Sequence, residues 1–468
     1  MEEKKNLQQR SPIVVVLGHV DHGKTTLLDK IRNTNTQVRE AGGITQTIGA
    51  STVSTKEGRK ITFIDTPGHA AFSKMRLRGA SVADIAVLVV AADDGVKPQT
   101  AEALEYIKEV NIPFVVAFSK IDLASSAVDR AINQLENLKV SFEGKGGNTP
   151  YVKVSGKTGE GIEELLETIC LVADVNEIKG DESAPLEAYV IETKRGKGGP
   201  LASVVVEVGT LEVGDSLYSG DLSGKVKGLT DTAGSPAQKV LPGGAAQILG
   251  FPDIPEVGSL VTNQLKSEGE LSEVPEEKYK QKDIEGKIPL YLKADSFGVL
   301  EAIKTSLPEK FLVVYSAVGD VGESDVLSAK SSNADIFTFN VKTTKSVINL
   351  AESEGVNIEN FNIIYKLLER ADEIIKAKTQ QISGKAEIIA TFPFNKQKVA
   401  GCKVLEGTIN KTDKVVLKSE GKEVGTAKIT SMKKVKQDIA SAGVSEEFGV
   451  ILDPQLDFKV GDTLASLK

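Results

Sequence analysis

One short stretch near the start of the chain combines residue types that bind phosphate. An apolar run at 13–17 is followed by the sequence GHVDHGKT at 18–25, and the residues after it have helical spacing. Glycines in a turn between a strand and a helix let several backbone N–H groups converge on one anion, and the helix dipole adds positive potential. A lysine amine placed there reaches the β- and γ-phosphates, and a threonine hydroxyl binds Mg²⁺. The stretch therefore predicts a nucleoside triphosphate site, with an ordinary glycine turn as the alternative. Its candidate ligand-binding residues are Asp21, His22, Gly23, Lys24, Thr25 and Thr26.

Two further segments predict a metal position and a catalytic group. The apolar run 61–64 ends in Asp65-Thr66-Pro67-Gly68-His69. A carboxylate at the end of a buried strand, here Asp65, suits a water-mediated contact to Mg²⁺. The backbone N–H of Gly68 is placed to meet the γ-phosphate, and His69 to orient the attacking water with a pKa near neutrality. Thr45, in the polar segment 40–49, is predicted to complete the Mg²⁺ shell while the γ-phosphate is present. The alternatives are a capped turn at 65–69 and a plain connecting loop at 40–49.

Residues after two later strands are suited to a guanine base. The run 112–118 leads into Ser119-Lys120-Ile121-Asp122, and the run 151–154 leads into Ser155-Gly156-Lys157. A carboxylate at 122 accepts hydrogen bonds from the ring N–H and exocyclic amine of guanine, a donor pair that adenine lacks. The strands alternate with helical segments, which predicts a doubly wound sheet that binds ligands at the carboxyl ends of its strands.

Composition limits the number of domains and the classes of protein to which the chain can belong. A chain of 468 residues is too long for one core and suggests several domains. Its two cysteines, Cys170 and Cys402, are far apart and lack metal-type spacing, which indicates reduced thiols. The polar start and the short apolar runs predict a cytoplasmic protein without a membrane span. The net charge of −8 argues against a binder that holds nucleic acid by charge alone.

Together the motifs resemble the translational GTPases, through GHVDHGKT, DTPGH at 65–69, KID at 120–122 and SGK at 155–157. The segments 38–50 and 68–80 are similar to the bacterial initiation factor 2 family rather than to elongation factor Tu. The resemblance implies GTP and GDP as ligands, Mg²⁺, and hydrolysis that is slow alone and stimulated by the ribosome. It also implies an apolar gate, Val20 and Ile44, beside His69, and a monovalent cation near Asp21. Ser119 stands where the family usually has Asn, so we expect weaker nucleotide affinity.

The resemblance also implies the domain order. The expected fold is an α/β P-loop GTPase domain with a doubly wound sheet, then a β-barrel, an α/β sandwich domain, a connecting helix and a second β-barrel. The sequence begins almost at the GTPase domain, so we expect a short form without the long N-terminal extension. The predicted ranges are a tail at 1–11, the GTPase domain at 12–175, a barrel at 185–265, a linker at 266–287, the α/β domain at 288–366, the helix at 367–382 and the last barrel at 383–468.

In this family the last barrel binds the acceptor end of formylmethionyl-tRNA. The segment 399–407 matches the family pattern, cysteine included, whereas 432–436 and 446–449 depart from it. The candidate contacts with the tRNA end are Cys402, Lys433, Lys434, Glu447 and Gly449. The alternative is a barrel with lysines on its surface and Cys402 in its core.

The resulting hypothesis is a monomeric GTPase that places initiator tRNA on the small ribosomal subunit and promotes joining of the large one. One rival is an elongation-type carrier of tRNA. Another is a ribosome- or RNA-binding protein that binds GTP without hydrolysing it. The basic helix at 73–80, with Lys74, Arg76 and Arg78, is either a solvated face or a surface that meets RNA phosphates.

Overall fold

The computed structural model describes residues 7–34, 44–196, 198–264, 286–379, 382–394, 397–419, 422–435 and 437–467. The chain divides into two compact units, Met1–Leu367 and Leu368–Lys468. The first unit contains three domains and the second contains one.

The first domain is a doubly wound α/β fold. Its six-stranded sheet has the order β3-β4-β2-β5-β6-β7, and only the pairing of β3 with β4 is antiparallel. The central strands are buried on both faces, which explains why they read as continuous apolar runs. The strands are β1 Gln8–Gln9, β2 Ile13–Gly18, β3 Gly49–Ser54, β4 Lys60–Asp65, β5 Ile85–Ala91, β6 Phe114–Ser119, β7 Tyr151–Lys153 and β8 Lys179–Gly180. The helices are α1 Lys24–Arg32, α2 Ser73–Ser81, α3 Pro98–Val110, α4 Val128–Asn137 and α5 Ile162–Val175, with a 3₁₀ helix at Ala70–Phe72.

Part of the predicted tail at 1–11 is attached to this domain. Strand β1 pairs with β8. Beside it, Arg10 forms an ion pair with Asp84 at 2.6 Å, and both side chains are largely buried. The segment between the first two domains is therefore held near the start of the chain.

The second domain is antiparallel β-structure. A six-stranded sheet of order β15-β14-β17-β10-β9-β18 and two short pairs, β11–β16 and β12–β13, surround one apolar core. The strands are β9 Glu187–Gly196, β10 Gly199–Val208, β11 Leu211–Glu212, β12 Ser216–Ser219, β13 Leu222–Lys225, β14 Gly228–Asp231, β15 Pro236–Ala237, β16 Lys239–Val240, β17 Ala245–Leu249 and β18 Leu260–Val261. Of the predicted linker at 266–287, residues 266–285 lie outside the described residues.

The third domain returns to an α/β pattern, with a four-stranded parallel sheet of order β20-β19-β21-β22. The strands are β19 Ile288–Ala294, β20 Phe311–Val318, β21 Asp335–Phe339 and β22 Ile358–Phe361, and the helices are α6 Phe297–Ser306, α7 Glu323–Ser331 and α8 Lys345–Glu354. The next helix, α9, runs over Ile364–Thr379. It begins three residues before the predicted boundary at 367, and this difference matters for the nucleotide site.

The second unit is a closed barrel. Strands β26-β31-β23-β24-β30-β27 follow one another, and the pairing of β26 with β27 closes the ring. Closure leaves no free sheet edge among these six strands, and alternate side chains fill the interior. The strands are β23 Ile382–Phe394, β24 Gln397–Gly407, β25 Ile409–Asn410, β26 Lys414–Ser419, β27 Lys422–Lys434, β28 Gln437–Asp438, β29 Ser441–Ala442, β30 Glu447–Asp453 and β31 Thr463–Leu467. The fold class predicted from the sequence is confirmed.

Candidate nucleotide site

A cavity of about 340 Å³ opens at the carboxyl ends of the parallel strands of the first domain. This is where an open α/β sheet binds its ligands. Most of the predicted site residues meet here. The cavity is lined by Val20, Asp21, Gly23, Lys24, Thr25, Thr26, Ile44, Thr45, Gly68, His69, Ser119, Lys120, Asp122, Leu123, Gly156, Lys157 and Tyr365.

The phosphate end of the cavity is organised by the loop before α1. Gly23 caps the helix with a φ of 82°, a left-handed conformation that favours glycine. The amine of Lys24 donates to the carbonyl oxygens of Gly18 at 2.8 Å and His19 at 2.7 Å. Burial lowers the pKa of Lys24 to about 8, although the nearby Asp65 acts in the opposite direction. The amine is therefore held within the loop, at the start of a helix that attracts phosphate.

Gly68 allows the loop after β4 to come close to the phosphate loop. A Cβ at this position would lie 2.5 Å from the amine of Lys24 and 3.1 Å from the backbone nitrogen of Val20. A side chain here would crowd the phosphate loop, so residue 68 lines the cavity with its backbone alone. This is the geometry expected of a γ-phosphate contact.

Three residues form a position suited to Mg²⁺. The hydroxyl oxygens of Thr25 and Thr45 are 2.7 Å apart. Asp65 is only 6% exposed, and its Oδ1 has no hydrogen-bond partner among the described residues. Burial raises the pKa of Asp65, and Arg32 at 3.8 Å from Oδ2 opposes that effect. Thr25 and Thr45 line the cavity and Asp65 does not, but hydroxyl and carboxylate oxygens are the ligand types that a hydrated divalent cation prefers.

The base end of the cavity is built around Asp122. The hydroxyl of Ser155 donates to Asp122 Oδ1 at 2.7 Å and accepts from the backbone N–H of Thr158 at 3.1 Å, so the carboxylate has a fixed orientation. Lys120 adopts a left-handed backbone with a φ of 60°, which is unusual for a long side chain. Such conformations persist where the surrounding structure enforces them, frequently at binding sites.

Ser119 still braces the phosphate loop. Its hydroxyl donates to the carbonyl oxygen of His22 at 2.6 Å, and the residue is 3% exposed. One hydroxyl thus supplies one link from strand β6 to the loop. An Asn amide has both donors and an acceptor, so the Ser leaves fewer bonds for the loop and the base together.

His22 is placed differently from the expectation. Its ring is 1% exposed, lies 3.4 Å from the carbonyl oxygen of Val89, and does not line the cavity. Burial lowers its pKa to about 4, so the ring is neutral at pH 7. The side chain anchors the loop to the sheet, and the backbone N–H of residue 22 donates to the carbonyl oxygen of His19 at 3.4 Å.

His69 lies at the cavity wall, half-buried. Its Nδ1 accepts a hydrogen bond from the backbone N–H of Ala71 at 3.1 Å. Burial lowers the pKa of His69, and the charge of Arg76 adds to this effect, so the neutral ring is favoured. Because a backbone N–H can only donate, the proton of the neutral ring is on Nε2.

Two contributors to the site were missed by sequence reasoning. Tyr365 lines the cavity from the first turn of α9, and Gln46 binds that turn through both ends of its amide. They are separated by more than 300 residues, and although Gln46 lies in the family-like segment 38–50, nothing in that segment indicates a contact with α9. The predicted helix boundary at 367 left Tyr365 outside the helix, so no sequence pattern pointed to it.

Comparisons with known proteins agree with this geometry. Residues 9–174 match the Elongation factor Tu GTP binding domain, 185–264 match Elongation factor G domain 2, and 262–372 match Translation-initiation factor 2. "Translation initiation factor IF-2" of Thermoanaerobacter sp. (strain X514) is 41% identical over 99% of this chain and 72% of its own length. The chain belongs to the translation initiation factor IF-2 family. It is a GTPase of translation initiation that hydrolyses GTP, as the motifs predicted.

Other relatives extend the comparison. The IF-2 of Aquifex aeolicus (strain VF5) is 40% identical over 98% of this chain, which spans 61% of that protein's length. A solved structure, GDP-bound aIF5B from Aeropyrum pernix, is 29% identical, covers 98% of this chain and 92% of its own, and has a TM-score of 0.49.

The basic helix α2 of this IF-2 family member is engaged within the chain. Lys74 and Arg78 both contact the carboxylate of Glu301 in α6, at 3.0 and 2.6 Å. Arg76 is 0% exposed and donates to Glu102 at 2.8 Å. Glu301 thus ties this helix to the third domain, a contact that the sequence did not predict, while contact of the helix with RNA phosphates stays a prediction.

The residues predicted to contact the tRNA end lie on both the inner and the outer face of the closed barrel. Cys402 is 0% exposed, and burial raises its pKa to about 12, which favours the alternative of a core cysteine. Gly449 is opposite both Gly401 and Lys433 in neighbouring strands. Because side chains alternate along a strand, these three positions face outward while Cys402 faces the core. Glu447 and Lys434 are also exposed, and Lys434 pairs with Glu446 at 2.7 Å.

In the part of the chain that the structure describes, no helix has both the length and the apolar character needed to cross a membrane. The same part contains no cluster of three or more His, Cys, Asp or Glu side chains arranged to hold a metal ion.

Proposed function

We propose that this GTPase places initiator tRNA on the small ribosomal subunit in the cytoplasm and promotes joining of the large one, with hydrolysis in the cavity of the first domain. The observation that supports the hydrolytic part best is the convergence of three chemistries in one cavity. These are an amine within the phosphate loop, two threonine hydroxyls 2.7 Å apart, and a histidine at the wall.

The residues divide the work of hydrolysis. Lys24 and the backbone N–H groups of the loop stabilise the charge that develops on the phosphates. Thr25, Thr45 and Asp65 would hold Mg²⁺, which would supply positive charge to offset the charge of the phosphates. His69 orients the water that attacks the γ-phosphate, and no covalent intermediate with the protein is required.

Recognition of the base rests on Asp122. Its carboxylate, oriented by Ser155, is placed to accept from the ring N–H and the exocyclic amine of guanine. The backbone N–H of Gly156 is placed to donate to the carbonyl oxygen of guanine, and the stem of Lys120 lies along the base. Adenine offers neither partner to the carboxylate, so an acceptor that guanine satisfies would remain unpaired against adenine.

The last barrel supplies a surface suited to the tRNA end. Gly401 and Gly449, which we call the glycine strip, are adjacent on two strands and face outward, and Lys433 continues the row. Phe392 is 56% exposed, and its ring would lie 3.3 Å from a Cβ at Gly401. A side-chain-free strip between an aromatic ring and a cation matches the stacking and phosphate contacts of single-stranded RNA.

GTP turnover with and without ribosomes, and with initiator tRNA present or withheld, tests this proposal. We expect slow turnover alone and strong stimulation by ribosomes. His69→Ala should keep GTP affinity and lower the ribosome-stimulated rate by about 10²–10⁴, the usual contribution of a positioned acid–base group. Lys366→Ala, an exposed residue outside the cavity, is the control and should retain the full rate.

The rivals give different results in the same assay. A protein that only binds GTP shows no turnover with ribosomes present. An elongation-type carrier prefers elongator tRNA over initiator tRNA in a binding assay. Either result would replace the proposal.

A further inference from the structure

The first turn of α9 forms part of the cavity wall next to His69. The rings of Tyr365 and His69 meet edge-on, with centroids 4.5 Å apart and an interplanar angle of 77°. Edge-to-face pairs at this separation attract each other beyond simple burial. Tyr365 is nevertheless 39% exposed, more than is usual for an aromatic side chain that packs in a hydrophobic core. Its position therefore indicates a role at the site.

Gln46 fixes the turn that carries Tyr365. Its Nε2 donates to the carbonyl oxygen of Asn362, and its Oε1 accepts from the backbone N–H of Ile364, both at 3.0 Å. Gln46 is 6% exposed, so these two bonds are shielded from water. The first N–H groups of a helix lack partners within the helix, and Gln46 satisfies one of them from a different domain.

Gln46 also follows Thr45 in the chain. Thr45 reaches the hydroxyl of Thr25, whereas Gln46 reaches the start of α9. Two consecutive residues thus connect the Mg²⁺ position with the turn that carries Tyr365. The contact between Tyr365 and His69 extends this series of contacts to His69.

His69 is held in a state unsuited to accepting a proton. Its Nδ1 is occupied by the N–H of Ala71, and its carbonyl oxygen accepts from Arg76 at 2.5 Å. In the neutral ring the other nitrogen carries the proton, so neither nitrogen accepts a hydrogen bond from water. Reorienting the ring requires breaking the bond to Ala71 and the edge contact to Tyr365.

We propose that Tyr365 is a positioning residue that restrains His69 in this resting orientation, and that Gln46 holds Tyr365 in place. The inference rests on the proposed role of His69 in orienting water. The restraint keeps turnover slow in the free protein, and its release is one requirement of the fast reaction. Asp21 also acts on the Tyr365 hydroxyl, whose pKa is raised chiefly by burial and further by that carboxylate.

The first test compares Tyr365→Ala, Tyr365→Phe and Lys366→Ala in ribosome-free GTP turnover by the full chain. Removing the ring should raise kcat by about 2–10-fold, the factor that corresponds to one aromatic pair, with KM unchanged. The Phe variant keeps the ring and should restore slow turnover, and Lys366→Ala should match the parent. A fall in kcat in the Ala variant would mean that Tyr365 supports the active orientation, and an unchanged kcat would mean that it restrains nothing. Either result overturns the proposal.

The second test observes His69 directly. The chain has only three histidines, so a histidine-labelled sample gives a simple NMR titration, assigned with His69→Ala. In the parent the pKa of His69 should lie below 6.5, and in Tyr365→Ala it should rise toward that value because the ring becomes exposed. No change in the titration of His69 in the Ala variant would overturn the inference.

A double variant separates this inference from the function it rests on. If Tyr365 acts through His69, the faster ribosome-free turnover of Tyr365→Ala disappears when His69→Ala is added. Persistence of the faster rate in the double variant would refute the restraint. Loss of ribosome stimulation in His69→Ala alone tests the proposed role of His69, independently of Tyr365.

Discussion

The nucleotide cavity and the outer face of the last barrel bind their proposed ligands through opposite kinds of structure. In the cavity, side chains from separate loops are fixed by other side chains, as Ser155 fixes Asp122 and Gln46 fixes the turn of Tyr365. On the barrel, the glycine strip is part of a regular ladder. In our proposal the cavity recognises its nucleotide through positioned hydrogen-bond acceptors and donors. The glycine strip accommodates the tRNA end because it has no side chains.

The two regions also differ in how they respond to a change of residue. Thr25 and Ser155 at the cavity are half-buried and buried, so removing the partner of such a group leaves an unsatisfied atom that costs about 1–3 kcal/mol. A residue on the barrel face is exposed, and its substitution leaves stability within about 0.5 kcal/mol. Mutations in the two regions should therefore separate into large changes of nucleotide specificity and small changes of tRNA affinity.

The largest expected effect is at Asp122. Asp122→Asn replaces an acceptor by a donor where guanine presents donors. We expect GTP affinity to fall by about 10–100-fold, as for loss of hydrogen bonds to a charged group, and xanthosine triphosphate to become the preferred ligand. Equilibrium binding of the two nucleotides measures the change.

Ser155→Ala is the matched control for Asp122→Asn. It removes one bond that orients the carboxylate but keeps the carboxylate itself. Affinity should fall by a smaller factor, with the preference for guanine kept. An unchanged preference in Asp122→Asn would show that this carboxylate does not recognise the base.

The second-largest expected effect is a loss of stability on substitution of Cys402, which faces the core of the barrel rather than its outer surface. The thiol of Cys402 is buried and contacts the carbonyl oxygen of Ala400 at 3.7 Å. Cys402→Ser buries a hydroxyl in an apolar core, which should lower the free energy of unfolding by about 1–3 kcal/mol. Chemical denaturation measures it.

Lys433→Ala is the counterpart on the outer face. Its side chain is 52% exposed, so stability should change by less than about 0.5 kcal/mol while initiator tRNA binding weakens. If Cys402→Ser instead weakened tRNA binding without loss of stability, the cysteine would act at the surface and the core assignment would be wrong.

The sequence was sufficient for the parts of the site that lie in continuous motifs. Lys24, Thr25 and Asp122 follow strand ends, and a doubly wound sheet brings all strand ends to one edge. The pairing of Thr25 with Thr45 was also predictable, since Thr45 lies between the phosphate motif and the next strand motif in the sequence. In these cases local pattern and global fold agree.

The sequence was insufficient where the position of a side chain depends on a distant segment or on which face of a strand it occupies. Tyr365 reaches the cavity because Gln46 anchors a helix more than 300 residues away, and no pattern in either segment records this. Cys402 matches a family segment, but the direction of its side chain depends on the alternation of strand β24 around a closed ring. His22 lies in the phosphate motif, yet its ring packs against the sheet.

A third prediction concerns pH and is confined to the cavity. Because burial lowers the pKa of Lys24 to about 8, the amine is charged at pH 7 and mostly neutral above pH 8. Triphosphate attracts the charged form, so binding takes up a proton where the free protein has lost one. GTP affinity should fall about fourfold between pH 7 and pH 8.5, whereas binding of guanosine, which lacks phosphates, should not share this change. Calorimetry in two buffers of different ionisation heat measures the proton uptake, and equal heats would contradict the assignment.

The smallest effect tests whether the glycine strip acts by leaving room. A Cβ at Gly449 would meet Val399 Cγ1 at 3.4 Å and the carbonyl oxygen of Lys433 at 3.9 Å, both ordinary contacts. Gly449→Ala should therefore fold normally, yet hold the tRNA end slightly away from the strip and weaken binding by roughly twofold, since a gap of 0.5–1 Å loses part of each contact. Gly228→Ala makes the same chemical change in strand β14, where a Cβ meets nothing within 4 Å, and should leave tRNA binding unchanged. Fluorescence titration with initiator tRNA and a parallel melting curve measure both. Equal tRNA affinity in the parent and in Gly449→Ala would mean that the tRNA end does not lie on the strip, because a ligand seated there has to respond to the added methyl group.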